Sequence, residues 1–184
     1  EYPGVKGESL SVLWLPHQDE MYFSNTNKEK PIQLFDGLAT FNGEMKLTPE
    51  DLGGKGKVGF YNSELTSEDY TFKNKELFAD KSNLKIFTPD GKNTSFEFKD
   101  YSTYADFENA RAEFKSNSHK STMDFPINRY SAYVSKMEWD LKSGMLSLLN
   151  EDYPDLDKVN NMSINELAKA NFNGYEYVSQ HPSQ

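Results

Sequence analysis

Apolar side chains recur at every second position through much of this chain, the period of a half-buried β-strand. The pattern is clearest between Phe41 and Ile86, at Met45 and Leu47, Val58 and Phe60, Tyr70 and Phe72, and Leu84 and Ile86. These pairs predict a row of short strands. Upstream, LSVLWLPHQDEMYF predicts a strand around Val12 to Leu15, a break at Pro16 and a second strand at Met21 to Phe23. A polar connector leads to another strand over Ile32 to Phe35. Asp36-Gly37, Thr48-Pro49-Glu50-Asp51 and Gly53-Gly54 read as turns, because Pro presets one turn dihedral and Gly accepts the positive one. Turn signals through Gly37, Gly43, Gly53 and Asn62 point to stacked β-units, with antiparallel pairing as the default.

Downstream, Phe87 to Thr94 is expected to be a loop built on Pro89-Asp90-Gly91, and Phe96 and Phe98 alternate in a further strand. Residues 105–116 satisfy two periods. Helical spacing joins Phe107, Ala110, Arg111 and Phe114, and strand alternation joins Ala110, Ala112 and Phe114; strand is preferred because every neighbour is one. A hairpin is predicted from Ser131 to Leu141 and from Met145 to Leu149 about Lys142-Ser143-Gly144, with Met137, Trp139 and Leu141 on one face. After an acidic loop over 151–161, Ser163 and Glu166 match a capping box, which predicts a short helix from Ile164 to Ala170. Tyr175 to Ser179 returns to strand. The expected fold is all-β, an elongated stacked antiparallel sheet or a β-sandwich-like arrangement, with one short α-helix near the C-terminus. Its expected parts are an N-terminal β segment (1–36), a β-repeat core (37–150), and an acidic loop, short helix and terminal strand (151–184).

Composition narrows the function classes. The apolar fraction of 36% is low, yet 13 Phe, 11 Tyr and 2 Trp supply large buried areas and argue against disorder. A formal charge of −9 argues against nucleic acid and anionic membrane surfaces as partners, since both need basic patches. The absence of cysteine excludes disulfides, zinc-thiolate sites and thiol catalysis. No run has the length of a transmembrane helix, and the N-terminus lacks the regions of a signal peptide, so membrane insertion by this segment is not expected. The first residue is Glu and the last four are HPSQ, which reads as a processed chain or a segment excised from a longer protein.

Candidate chemistry is sparse. Gly53-Gly54-Lys55-Gly56-Lys57 lacks the Gly-Lys-Ser/Thr order of a phosphate cradle and runs into strand alternation, which favours a turn. His17, Asp19 and Glu20 offer metal-ligand types in one loop without a second histidine, and a solvated loop is the preferred reading. Glu151, Asp152, Asp155 and Asp157 are hard oxygen donors that suit calcium, but the spacing lacks the glycine and terminal glutamate of an EF-hand, so Asp152, Asp155 and Asp157 stand against a plain acidic loop. No Gly-x-Ser-x-Gly elbow is present, and no catalytic residues are assigned. Trp139 is in phase with Met137 and Leu141 and reads as core. Trp14 is freer, because Val12 shares its face and Pro16 ends the strand, and it is the candidate for stacking on a sugar.

Three segments carry a resemblance. Gly43 to Gly56, within LFDGLATFNGEMKLTPEDLGGKG, Phe125 to Asp140 in FPINRYSAYVSKMEWD, and Ser179 to Gln184 in SQHPSQ resemble, in this order, motifs of very large, poorly characterised β-repeat proteins of the Gram-negative cell envelope. The motifs are turns and strands without an active-site signature. The resemblance implies an internal piece of a longer protein in the periplasm or at the cell surface. The expected role is then a non-catalytic structural or interaction module, a β-scaffold or a lipid-conducting groove lined by Met45/Leu47, Val58/Phe60 and Tyr70/Phe72, whose partners are other protein chains or the remainder of its parent. The alternative is a carbohydrate-binding or glycan-active β-domain.

Overall fold

The computed structural model describes residues 2–118 and 121–150. Over these residues the chain forms strands β1 (Val5–Lys6), β2 (Leu10–Leu15), β3 (Glu20–Asn25), β4 (Ile32–Leu34), β5 (Ala39–Leu47), β6 (Leu52–Phe60), β7 (Ser63–Lys73), β8 (Glu76–Phe87), β9 (Thr94–Asp106), β10 (Arg111–Ser116), β11 (Thr122–Phe125), β12 (Tyr130–Tyr133), β13 (Lys136–Asp140) and β14 (Leu146–Leu149). The only helical turn among them is a 3-10 turn at Phe35–Gly37. All strands belong to one sheet, and every pair in it is antiparallel. The all-β, antiparallel expectation therefore holds. The predicted helix at Ile164 to Ala170 and the strand at Tyr175 to Ser179 lie outside the described residues.

The frame is a meander of five long strands, β5 to β9, in which each strand pairs with its neighbours in sequence. Each outer strand of this frame carries two arms. On β5, β4 pairs with the N-terminal half and β3 with the C-terminal half, each extended outward, by β1 and β2 respectively. On β9, the β11–β12 hairpin pairs with the N-terminal half, and β10, β13 and β14 follow in order on the C-terminal half.

A single sheet has a core only if it covers itself, and this one does so by bending. Register shifts between Gly54 and Gly56 on β6, and at Ala79, Ser82 and Leu84 on β8, mark bulges halfway along the long strands. Bulges bend a strand and increase its twist. Short hydroxyl side chains take up the backbone carbonyls there: Ser67 donates to the Lys81 carbonyl at 2.6 Å and Ser82 to that of Tyr101 at 2.8 Å. On the neighbouring strand Gly43 faces Gly56, and the two backbones approach so closely that a Cβ on Gly43 would meet the Lys55 carbonyl and one on Gly56, at φ +144°, the Asn42 carbonyl. Only glycine fits this crossing.

Folding along this line sets aromatic rings of the two halves against each other. Phe41 meets Phe72 edge-on at 5.6 Å, and Phe98 meets Phe114 edge-on at 5.4 Å. The sheet coils enough for two diagonal corners to touch: Phe35, just before β5, stacks on Phe107, just after β9, at 4.4 Å, and Phe60 reaches both Phe107 and Trp139 at 5.7 Å. The other two corners carry the β2–β3 and β11–β12 hairpins, on which Leu13 and Ile127 are exposed.

Several sequence readings change. Gly43 and Gly53-Gly54 are not turns but lie inside β5 and β6, where glycine serves the bend and not a chain reversal. Residues 105–116 are neither one helix nor one strand: β9 ends at Asp106, a tight turn follows, and β10 starts at Arg111. The hairpin predicted from Ser131 is shorter, because Tyr130–Tyr133 pairs with β11 and only Lys136–Asp140 pairs with β14. Met137, Trp139 and Leu141 are buried as expected.

Candidate interaction surface

In an antiparallel sheet, directly opposite residues share a face, so the pairing register defines rows of side chains that run across the strands. One row crosses ten strands without a break: Trp14, Met21, Leu47, Leu52, Phe72, Leu77, Ala105, Ala112, Trp139 and Leu146. A second row beside it starts at Val12 and Phe23, passes Met45, Tyr70 and Phe114, and ends at Met137 and Leu148. The middle of each row is buried core. The ends are not: Trp14 is 65% exposed and Val12 57% at one end, and Leu146 is 36% and Leu148 46% at the other. Among the described residues, the core face thus runs off both of these margins of the sheet uncovered.

On the far side of the bend the margins differ. The row through Phe41, Val58 and Phe98 reaches Ile32 on one side, fully buried, and on the other passes the buried Met123 to end at the half-buried Ala132 of β12. Exposed apolar row ends are then Trp14 and Val12 on β2, Leu146 and Leu148 on β14, and Tyr130 on β12, which continues the line of Phe96 and Phe125 and is 41% exposed.

The β2–β3 hairpin is fastened to the frame at both ends of β3. Asn25 donates to the Asn42 side chain at 2.6 Å and accepts from the Gly43 backbone N–H at 3.1 Å. At the other end of β3, the Glu20 carboxylate receives Lys46 Nζ at 2.7 Å and the Tyr22 hydroxyl at 2.8 Å, and those two hydrogen bonds lower its pKa. The outer edge of β2 has no strand partner among the described residues. Its six residues, LSVLWL, contain no charge and no proline, the two devices by which exposed edges are usually blunted. β14, LSLL, is likewise uncharged and exposed along its whole length.

Trp14 also borders a shallow cleft of about 290 Å³ with Tyr2, Asp19, Met21, Leu47 and Pro49. The Tyr2 hydroxyl closes its rim by donating to the carbonyls of Thr48 and Pro49, each at 2.8 Å. His17, Asp19 and Glu20 lie in and beside the β2–β3 turn, and among the described residues no three acids or histidines converge as metal ligands. Gly53 to Lys57 is strand, so its N–H groups serve the ladder. Trp139 is core, and its Nε1, although buried, has no hydrogen-bond acceptor among the described residues. Asp152, Asp155 and Asp157 lie outside the described residues.

Sequence reasoning singled out Trp14 as a sugar-stacking candidate but not the exposed margin on which it lies. The available signal was the lack of charge in LSVLWL and LSLL, which is unusual in a chain where 27% of residues are charged. No protein family, curated protein or solved structure matches this chain. Its class is therefore defined by its own geometry: an all-β antiparallel meander, bent on itself, whose apolar margins at β2 and β14 are open among the described residues.

Proposed function

We propose that this chain is a non-catalytic interaction module of a larger cell-envelope or cell-surface assembly, a sandwich-like β-scaffold that binds by adding strands at its open margins. The observation that carries this reading is the pair of core rows that end uncovered on the uncharged edge strand β2. An added strand would gain main-chain hydrogen bonds from the edge and bury apolar side chains at alternate positions. The resemblance of its motif order to envelope β-repeat proteins supports the setting. The burial of Met45, Val58, Phe60, Tyr70 and Phe72 favours a scaffold over a lipid-conducting groove, since the chain's own side chains fill that face.

The test uses Trp14 as a reporter, because Trp139 is buried and acrylamide reaches exposed indoles first. In the isolated chain Trp14 is expected to be readily quenched; in the assembly purified from its native source it is expected to be shielded. Val12→Lys should abolish that assembly while leaving the circular dichroism spectrum unchanged. A Trp14 equally quenchable in the native material would sink the reading.

The cleft beside Trp14 supports the second reading, a sugar stacked on the indole with Asp19 as a hydroxyl acceptor. Fluorescence titration with neutral oligosaccharides separates the two: saturable quenching that disappears in Trp14→Ala would favour carbohydrate binding over strand addition.

A further inference from the structure

We infer that the strand added at β2 comes from a second copy of this chain: β14 of one molecule pairs antiparallel with β2 of the next, Leu146 opposite Trp14 and Leu148 opposite Val12. This rests on the reading of β2 as a strand-addition edge and names its occupant.

Three observations lead to it. The first is register. Trp14 and Leu146 are the two ends of one core row, and Val12 and Leu148 are the two ends of the next. Placing β14 against β2 of another molecule joins both rows at once, and it does so only with the strands antiparallel, the sense of every other pair in the sheet. The second is composition. A strand that covers the margin at β2 needs an apolar residue at every second position on the core face, and Leu146 and Leu148 supply it without a charge between them. The third is charge at the ends. Antiparallel pairing brings the start of β14, preceded by Lys142, beside the end of β2, followed by Asp19, and both side chains are exposed. The other end offers no such pair: Glu8, which precedes β2 and is bound by Lys30 at 2.8 Å, would face the end of β14, followed in sequence by Asn150 and Glu151.

Because the two surfaces differ, the contact does not close on itself as a twofold dimer does. It generates an open row of molecules, each donating β14 and accepting on β2. The formal charge of −9 per chain opposes this at long range and is screened at physiological ionic strength, where the Debye length is about 8 Å.

The chain has no cysteine, so introduced thiols report contacts without interference. Val12→Cys and Leu148→Cys fall at exposed positions, and retained circular dichroism confirms that each variant folds. Under mild oxidation, a mixture of the two single variants is expected to give a dimer containing one of each, and a chain carrying both substitutions a ladder of higher species. In sedimentation velocity, Asp19→Lys should weaken self-association about threefold, and the additional change Lys142→Glu should restore it. Val12→Cys homodimers formed as readily as the mixed dimer would overturn the head-to-tail arrangement. Absence of any mixed dimer would overturn self-pairing altogether, and the shielding of Trp14 in native material then decides separately whether β2 accepts a strand from another protein.

Discussion

Gly43 and Gly56 show how little room the sheet leaves at its bend. Gly56 has a φ of +144°, and the carbonyl of Asn42 occupies the space that a Cβ would need. Gly56→Ala is expected to cost about 2–4 kcal/mol, the sum of backbone strain and overpacking, read as a lower denaturant midpoint with an unchanged slope. A loss below about 0.5 kcal/mol would mean that the bend tolerates a side chain. These glycines were visible in the sequence but misread, because a residue that permits a turn also permits a bulge, and only the partner strand decides which. Asp106 was not legible at all. Burial works against its charge, but Asn109, through its side chain and backbone N–H, the Glu108 N–H and Arg111 more than offset that, and its pKa lies below the usual aspartate value near 3.8. A carboxylate held low in the folded state stabilises fully above its ordinary value, and that contribution is lost as pH falls through the folded one. Unfolding free energy should therefore fall more steeply below about pH 4 in the parent chain than in Asp106→Asn, and parallel slopes would remove Asp106 from the account.

At the scale of elements, strand alternation predicted the long strands well because one of their faces is buried along most of its length. Connectivity was harder to read. Asp36-Gly37 was recognisable as a turn, but not that Phe35 enters it at φ +54° with its ring buried. The stacking of Phe35 on Phe107 explains the conformation: the ring closes the corner where β4 meets the end of β9, and that contact offsets the local strain. Phe107→Ala removes rings from both Phe35 and Phe60 and is expected to cost about 3–5 kcal/mol. Ile127→Ala, at an exposed position of the β11–β12 hairpin, serves as the comparison and should change stability by less than about 0.5 kcal/mol.

For the whole molecule, what the sequence withheld was the relation between its two ends. LSVLWL and LSLL are ordinary strand patterns when taken singly. They become the terminal members of the same two rows only once eight intervening strands are in register, and no local pattern carries that information. The candidate surface is thus a property of the complete sheet.

The meander also bears on the route by which this chain reaches its fold. Each long strand joins one already adjacent in sequence, so most loops to be closed are short, and folding should be fast for an all-β protein. The corner formed by Phe35 and Phe107 is different, since it unites segments that meet only after the whole frame has assembled. Phe107→Ala should then leave the refolding rate nearly unchanged and put its cost into faster unfolding, a split that stopped-flow chevron plots measure directly. An equal slowing of refolding would mean that the corner forms in the folding nucleus, before the frame it closes.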